Sequence, residues 1–258
     1  MGKDIVIGSY GVLMILAVGV AAWAAFSIAT RRGYRPGYFL NHFALTGAAS
    51  IGGALGTGYL LFFPLRAGEA FAPHPVALVS WGGIIGGLGA MAFISLRWKE
   101  DFLVLGDIFA PASLLAFGTG RIGCFLAGCC YGVGTSCAMG VDFSGTGSPA
   151  SLVPQPLVPV QLISAGFLLT AGILISILSA GTARRGIAFG AAVIVHSLFR
   201  FVIEFWRDDP RIFFLGLSDG QWFFALYFLF GFALTLYAVR RAGTIRGKEK
   251  GEPRIDTD

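Results

Sequence analysis

Charged residues are scarce in this sequence, and their scarcity excludes most classes of soluble protein. Charged residues make up 13% of the 258 residues and hydrophobic residues 55%, whereas an ordinary soluble domain has roughly 25% charged residues. The apolar runs also lack the strict alternation that a membrane β-barrel shows. The net charge of +5 does not indicate nucleic-acid binding, because lysines and arginines stand at the ends of apolar runs and in the C-terminal tail. The chain is therefore predicted to be an all-α, polytopic membrane protein.

The N-terminal apolar run also lacks the features of a cleaved signal peptide. Residues 6–30 form a run longer than the apolar core of a signal peptide, and the run ends at Arg31 and Arg32. We expect this segment to stay in the protein as its first membrane span.

About seven apolar runs are long enough to cross the ~30 Å hydrocarbon core of a bilayer as helices. Breaks rich in lysine and arginine alternate with poor ones, which predicts the N-terminus outside and the C-terminus in the cytoplasm. Residues 1–241 are predicted to form the transmembrane domain, and residues 242–258 a basic, polar, disordered tail. The predicted spans are 6–30, 42–63, 76–96, 102–131, 160–180, 187–206 and 221–239.

Arg121 stands in a glycine-rich, apolar stretch that has no acidic residue within a helical turn of it. A charge near the bilayer centre costs about 2.5–3.5 kcal/mol, so Arg121 needs an anionic partner from another helix or from a ligand. A phosphate suits a guanidinium fork, and a phospholipid headgroup is the anion available at that depth. The predicted topology brings Arg121, Arg200, Tyr10 and Gln161 to a similar level in the outer half of the membrane.

The sixth predicted span carries His196, Arg200, Glu204 and Arg207 at spacings of four, four and three residues. These spacings form one helical stripe on which Arg200 and Glu204 can pair. The pair is either a structural ion pair, with Arg207 reaching the interface, or part of a ligand site. His196 is either a candidate base or a hydrogen-bonded core residue.

Cysteine is also sparse, with four in the chain. Cys124, Cys129, Cys130 and Cys137 lack the Cys-x-x-Cys spacing of common metal and haem sites, so no metal ligands are predicted. If Cys130 and Cys137 lie outside the membrane, a disulfide between them is compatible with that oxidising compartment.

Several short motifs, in this order and spacing, resemble those of the bacterial prolipoprotein diacylglyceryl transferases. The resemblance covers nearly the whole chain. It rests on Ser9-Tyr10-Gly11, Gly82-Gly83, Asp107 to Pro111, Gly120-Arg121-Ile122-Gly123, Pro159 with Gln161-Leu162, Phe199-Arg200 through Glu204-Phe205-Trp206-Arg207, Leu217-Ser218 and Gly220-Gln221.

The resemblance implies a multi-pass enzyme of the bacterial inner membrane, with its active site toward the outer leaflet. Such an enzyme moves the diacylglyceryl group of phosphatidylglycerol onto the lipobox cysteine thiol of a prolipoprotein and releases glycerol phosphate, without a cofactor. By this resemblance Arg121 and Arg200 hold the lipid phosphate, Tyr10 helps to line the lipid site and Glu204 orients an arginine. Gln161 and Arg207 are further lipid-binding candidates.

The sequence departs from the family pattern at positions that carry polar groups in the family. Trp81 replaces a histidine, Cys124 and Ala127 replace asparagines, and Cys129 stands where a glutamate is common. Leu55 stands at the arginine of the family's Gly-Gly-Arg pattern in the second span. Either His196 takes over the role of the base, or Cys124 or Cys129 acts as a nucleophile or acyl carrier. Two other interpretations remain: a non-catalytic phospholipid-binding or transport protein of the same fold, and a family transferase with a different donor or acceptor.

Overall fold

The computed structural model describes residues 2–62, 80–181, 185–208 and 213–251. Seven α-helices form within these residues, together with two 3₁₀ turns and one two-stranded antiparallel hairpin. The helices are α1 (Gly2–Arg31), α2 (Pro36–Phe62), α3 (Ser80–Trp98), α4 (Phe102–Leu126), α5 (Val160–Gly181), α6 (Ile187–Ile203) and α7 (Asp219–Gly251). The 3₁₀ turns are Pro149–Leu152 and Glu204–Trp206, and the hairpin pairs β1 (Phe213–Phe214) with β2 (Leu217–Ser218).

Five helices are long and apolar enough to cross a membrane, as expected of a polytopic membrane protein. They are α1, α4, α5, α6 with its 3₁₀ extension, and α7. Within the described residues, α2 and α3 do not reach this apolarity, and both are rich in glycine, which contributes little to it. Residues 63–79, where predicted span two ends and predicted span three begins, lie outside the described part. The count of seven spans and the side on which each terminus lies stay predictions.

The prediction that span four continues to residue 131 is wrong, because α4 ends at Leu126 in a Schellman motif. The backbone N–H of Cys129 donates to the carbonyl of Cys124 at 3.1 Å, and that of Gly128 donates to Phe125 at 3.0 Å. Gly128 occupies the left-handed region that this motif requires, with φ of 59°. The motif places residues 124 and 129 side by side.

Two compact units are present: one contains residues up to Ile28 and the chain from Asp107 onward, and the other contains Ala29–Gly106. In the first unit, buried side chains of α4, α5 and α6 form the core. Glycines allow close helix packing: a Cβ at Gly118 of α4 would lie 2.8 Å from Leu169 of α5, and one at Gly231 of α7 would lie 2.6 Å from Val193 of α6. The core cluster consists of Leu114, Leu168, Ala171, Ile175, Ala188 and Ala192.

Asp107 joins α4 to the start of α6. Its buried carboxylate accepts hydrogen bonds from the backbone N–H groups of Gly186 and Phe189, both at 2.8 Å. These donors belong to the first turn of α6, so a side chain from another helix caps α6. Asp107 is therefore an interhelical hydrogen-bonding group.

The loop after α4 has a small core of its own and connects three helix ends. Phe143, Ala150 and Leu157 are buried together. The N–H of Val133 donates to Trp206 at 2.9 Å, and the N–H of Val158 donates to Val133 at 3.0 Å. The backbone after α4 thus holds the start of α5 and the end of α6 in fixed register.

The second unit is built on the packing of α2 against α3. A Cβ at Gly83 lies 3.2 Å from the carbonyl oxygen of Ser50, so the two backbones nearly touch. Glu100, just beyond α3, accepts hydrogen bonds from Tyr34 at 2.7 Å and Tyr38 at 3.0 Å. Burial is the main cause that raises the pKa of Tyr34, and the bond to Glu100 acts in the same direction.

The last helix extends further than the predicted membrane domain. The apolar part of α7 reaches Arg241, and its helical backbone continues to Gly251, into the segment for which disorder is predicted. Residues 252–258 lie outside the described part. The division into a transmembrane domain and a tail stays a prediction.

Candidate functional site

Glu204 pairs with two arginines at the end of α6. Its carboxylate lies 3.2 Å from the Arg200 guanidinium and 3.5 Å from that of Arg207, and all three side chains are more than nine-tenths buried. The Arg200–Glu204 pair predicted from the helical stripe is therefore confirmed. The 3₁₀ turn Glu204–Trp206 rotates Arg207 back toward Glu204.

Arg121 adds a third guanidinium group from α4 in the same unit. It is half-buried, and among the described residues no carboxylate forms an ion pair with it. Arg121 and Arg200 both lie close enough to the His196 ring to interact with it electrostatically. Among the described residues, Arg121, Arg200 and Arg207 thus bring three guanidinium charges to this part of the unit, and Glu204 brings the buried carboxylate. Such an excess of buried positive charge suits a phosphate.

His196 lies between aromatic rings, one helical turn before Arg200. Its ring centroid is 5.5 Å from that of Phe117 and 5.5 Å from that of Phe224, and the residue is buried. The Arg200 guanidinium lies over the Phe224 ring at 5.2 Å. These contacts support the alternative in which His196 is a packed core residue. His196 nevertheless lies one helical turn from Arg200, close to the candidate site.

Tyr10 and Gln161 line the same unit from α1 and α5. A Cβ at Gly123 lies 3.5 Å from the Tyr10 ring, so this glycine lets Tyr10 pack on α4 near Arg121. Gln161 is fully buried, and its side-chain amide donates to the carbonyl of Cys129 at 2.9 Å. Its Oε1 has no hydrogen-bond partner among the described residues.

Three cysteines meet where α4 ends, a cluster that the sequence analysis missed. The Sγ atoms of Cys124, Cys129 and Cys130 all lie within 4.8 Å of one another. The Schellman motif brings Cys124 next to Cys129, and Cys130 completes the group from a left-handed backbone conformation with φ of 55°. A signal was present: Gly128 followed by Cys129, with a cysteine five residues earlier, is the spacing of two residues that touch in this motif.

The surroundings of the Cys130 thiol favour its thiolate form. Hydrogen bonds from the Cys124 and Cys129 thiols hold the pKa of Cys130 well below its usual range, and the charges of Arg121 and Arg207 act in the same direction. Hydrogen bonds with the two other thiols raise the pKa of Cys129. The sequence left a disulfide between Cys130 and Cys137 possible, but in the structure both thiols are free: Cys130 belongs to the cluster, and Cys137 is exposed.

Comparison with known proteins decides the family. Residues 2–237 match the family model of the prolipoprotein diacylglyceryl transferases. The chain belongs to the prolipoprotein diacylglyceryl transferase family.

Curated relatives in this family align with the chain over most of their length. Phosphatidylglycerol–prolipoprotein diacylglyceryl transferase 2 of Clostridium perfringens is 33% identical over 254 residues, covering 95% of this chain and 94% of the relative. The transferase of Clostridium tetani is 34% identical, covering 78% and 82%. That of Geobacter sulfurreducens is 32% identical, covering 90% and 91%. The resemblance predicted from the motifs is confirmed.

Two departures from the family pattern fall in the second unit. Trp81, in the place of the family's histidine, is half-buried at the start of α3. Leu55, which replaces a family arginine, is 39% exposed on α2. Neither side chain can transfer a proton in place of the group that is lost.

Proposed function

We propose that this chain is a transferase that moves the diacylglyceryl group of phosphatidylglycerol onto the thiol of a prolipoprotein's lipobox cysteine. The observation that carries the proposal is the excess of guanidinium charge in a membrane helix bundle, with Arg121, Arg200 and Arg207 set against Glu204. A phosphodiester headgroup is the ligand that balances this charge at membrane depth. The relatives' names refer to the same donor and acceptor.

The reaction is an alkyl transfer at the glyceryl carbon bonded to phosphate. The cysteine sulfur attacks this carbon, the carbon–oxygen bond breaks with its electron pair going to the phosphate oxygen, and glycerol phosphate leaves. Arg121 and Arg200 stabilise the charge on the departing phosphate. Glu204 is a positioning residue that orients Arg200 and Arg207, both of which it contacts.

The remaining candidate residues hold the lipid or supply the base. Tyr10, Gln161 and Arg207 line the lipid-binding site. Gln161 Oε1, which has no hydrogen-bond partner among the described residues, is an acceptor for a headgroup hydroxyl. His196 is the candidate base from the α6 stripe. Comparing His196→Gln with His196→Ala separates a role as base from a role in packing. If His196 is the base, both variants lose about 10²–10⁴-fold in rate, whereas a packing role predicts a larger loss for His196→Ala than for His196→Gln.

The proposed location is the bacterial inner membrane, with the site toward the outer leaflet. Seven spans, an outer N-terminus and a cytoplasmic C-terminus follow from the distribution of lysine and arginine. This arrangement places the acceptor cysteine and the arginines on the side to which prolipoproteins are exported.

The test is complementation of a strain depleted of its own transferase, scored by prolipoprotein lipidation. Wild-type protein is expected to restore lipidation, and Arg121→Ala and Arg200→Ala to lower the transfer rate by about 10²–10³-fold each. Arg35→Ala is the matched control, because Arg35 is an exposed arginine of the second unit. Full activity of both site variants would refute the assignment.

A second candidate is a non-catalytic phospholipid-binding or transport protein of the same fold. Trp81 favours it, because the family histidine is lost there. This candidate predicts that phosphatidylglycerol co-purifies with the chain while lipidation is not restored. A family transferase with another acceptor predicts transfer from the same lipid to a different thiol.

A further inference from the structure

The Cys124, Cys129 and Cys130 cluster has the dimensions of a thiolate metal site. A zinc ion bound to sulfur at about 2.3 Å holds three ligand sulfurs about 4 Å apart. The three Sγ atoms lie within 4.8 Å of one another. A small adjustment of rotamers therefore suffices to bring all three to bonding distance.

The backbone fixes this cluster before any ligand binds. Two Schellman hydrogen bonds join Cys124 to Cys129 and Phe125 to Gly128, and Gln161 holds the Cys129 carbonyl at 2.9 Å. Cys130 adopts a left-handed conformation that is costly for a residue with a side chain. Backbone strain of this kind, here at Cys130, clusters at functional sites.

Charge around the cluster also suits a bound metal. Three thiolates and one Zn²⁺ carry a net charge of −1. Arg121 stands three residues before Cys124 on α4, and the backbone of Arg207 pairs with that of Gly132, two residues after Cys130, so two arginines adjoin the cluster. Soft thiolate ligands favour zinc or copper(I) over magnesium or calcium.

Three protein ligands leave the fourth position of a tetrahedral zinc ion open, which is the arrangement of catalytic zinc sites. We propose that Cys124, Cys129 and Cys130 bind one Zn²⁺ and that the acceptor cysteine thiol binds it as the fourth ligand. The first half stands on the cluster alone, and the second half rests on the proposed transferase function. A coordinated thiol is deprotonated, so zinc does the work of the base that is lost at Trp81.

The proposed step balances without another reactant. The acceptor thiol binds zinc and releases its proton to water, and the bound sulfur attacks the glyceryl carbon while the carbon–oxygen bond to phosphate breaks. The electron pair goes to the phosphate oxygen, close to Arg121. The product thioether is neutral and a weaker ligand than a thiolate, so it leaves zinc for the next acceptor.

Metal binding is tested on the full chain, purified in detergent and loaded with Zn²⁺ or Co²⁺. About one zinc ion per chain is expected for the wild type and for Cys137→Ser, the matched control, since Cys137 is exposed and outside the cluster. Cys124→Ser, Cys129→Ser and Cys130→Ser are expected to lose stoichiometric binding. Cobalt is expected to give thiolate charge-transfer absorption in the wild type and Cys137→Ser, weakened in the three serine variants. Circular dichroism shows whether each variant keeps its helices.

The fourth-ligand claim is tested by adding a lipobox peptide to the cobalt-loaded protein. A peptide with its cysteine is expected to shift the cobalt spectrum and strengthen the thiolate absorption, and a Cys→Ser peptide is not. In the lipidation assay, chelation is expected to abolish transfer and added zinc to restore it, while Cys137→Ser keeps the wild-type rate.

The outcomes separate the parts of the proposal. Wild-type protein that holds no stoichiometric metal, or folded serine variants that hold as much as the wild type, overturns the site. If zinc binds but transfer survives chelation, the catalytic role is overturned and the metal is structural. Bound zinc in a chain that never lipidates any acceptor refutes the proposed function while the metal site stands.

Discussion

Glu204 is the residue on which the arrangement of the arginines depends. It lies 3.2 Å from Arg200 and 3.5 Å from Arg207 in a buried setting. Removing one partner of a buried ion pair leaves an uncompensated charge and costs about 3–5 kcal/mol. An uncharged residue at position 204 therefore releases two guanidinium groups at once.

Glu204→Gln is predicted to lower kcat/KM for phosphatidylglycerol by about 10²-fold, because Arg200 loses the carboxylate that orients it toward phosphate. The rate is measured by lipidation in detergent, with kcat and KM determined separately. Asp142→Asn makes the same chemical change at an exposed carboxylate and is expected to have no effect on transfer. An unchanged kcat/KM in Glu204→Gln would show that the arginines do not need their shared partner.

At the scale of single elements, Asp107 controls where α6 begins. Asp107→Ala removes two charge-assisted hydrogen bonds to the first turn of α6, each 2.8 Å long. The expected loss of unfolding free energy is about 1.5–3 kcal/mol, from the loss of buried hydrogen bonds to a charged group. Asp107→Asn keeps an acceptor and is expected to lose less. Thermal unfolding in detergent is the measurement, and equal stability of both variants with the wild type would exclude the cap.

The packing of the loop after α4 requires a glycine at position 132. A Cβ at this position lies 2.6 Å from the Val158 oxygen and 2.7 Å from the Trp206 oxygen, and backbone atoms cannot move aside cheaply. Gly132→Ala is predicted to destabilise the protein by about 1–3 kcal/mol and to impair transfer, since this loop positions the end of α6. Gly166→Ala on α5, where nothing lies within 4 Å, is the control and is expected to keep both stability and activity. Equal melting temperatures for the two variants would contradict the prediction.

The same elements show what the sequence can predict. Length and hydropathy predicted α5 to within a residue and the span formed by α6 with its 3₁₀ extension, Ile187–Trp206. Helical spacing predicted the Arg200–Glu204 pair. The early end of α4 was not predicted, because apolar residues continue past Leu126 and hydropathy does not register a glycine in a left-handed conformation. The cysteine cluster was not predicted for the same reason. The turn after α4 brings its members together, whereas metal motifs such as Cys-x-x-Cys are recognised by a fixed sequence spacing.

At the scale of the whole molecule, family membership does not by itself assign the roles of individual residues. Membership in the transferase family follows from a match along nearly the entire chain. Trp81 and Leu55, by contrast, belong to the second unit, where α2 packs on α3. The arginines of the candidate site and Glu204 belong to the first unit. In the first unit, His196 and the three cysteines are the candidates to replace the family histidine.

Membrane topology is the prediction that belongs to the whole chain. An odd number of spans places the termini on opposite sides, and the basic residues at the ends of α1, α3 and α7 (Arg31, Arg97 and Arg241) select the cytoplasm for those ends. A fluorescent protein fused after residue 258 is expected to fluoresce, and alkaline phosphatase fused there to stay inactive, because that enzyme matures only outside the cytoplasm. A phosphatase fused in the loop after α4, near exposed Cys137, is expected to be active. The reverse pattern would place Arg121 and the cysteine cluster at the cytoplasmic face, away from exported acceptors, and the proposed transfer would then have no substrate within reach.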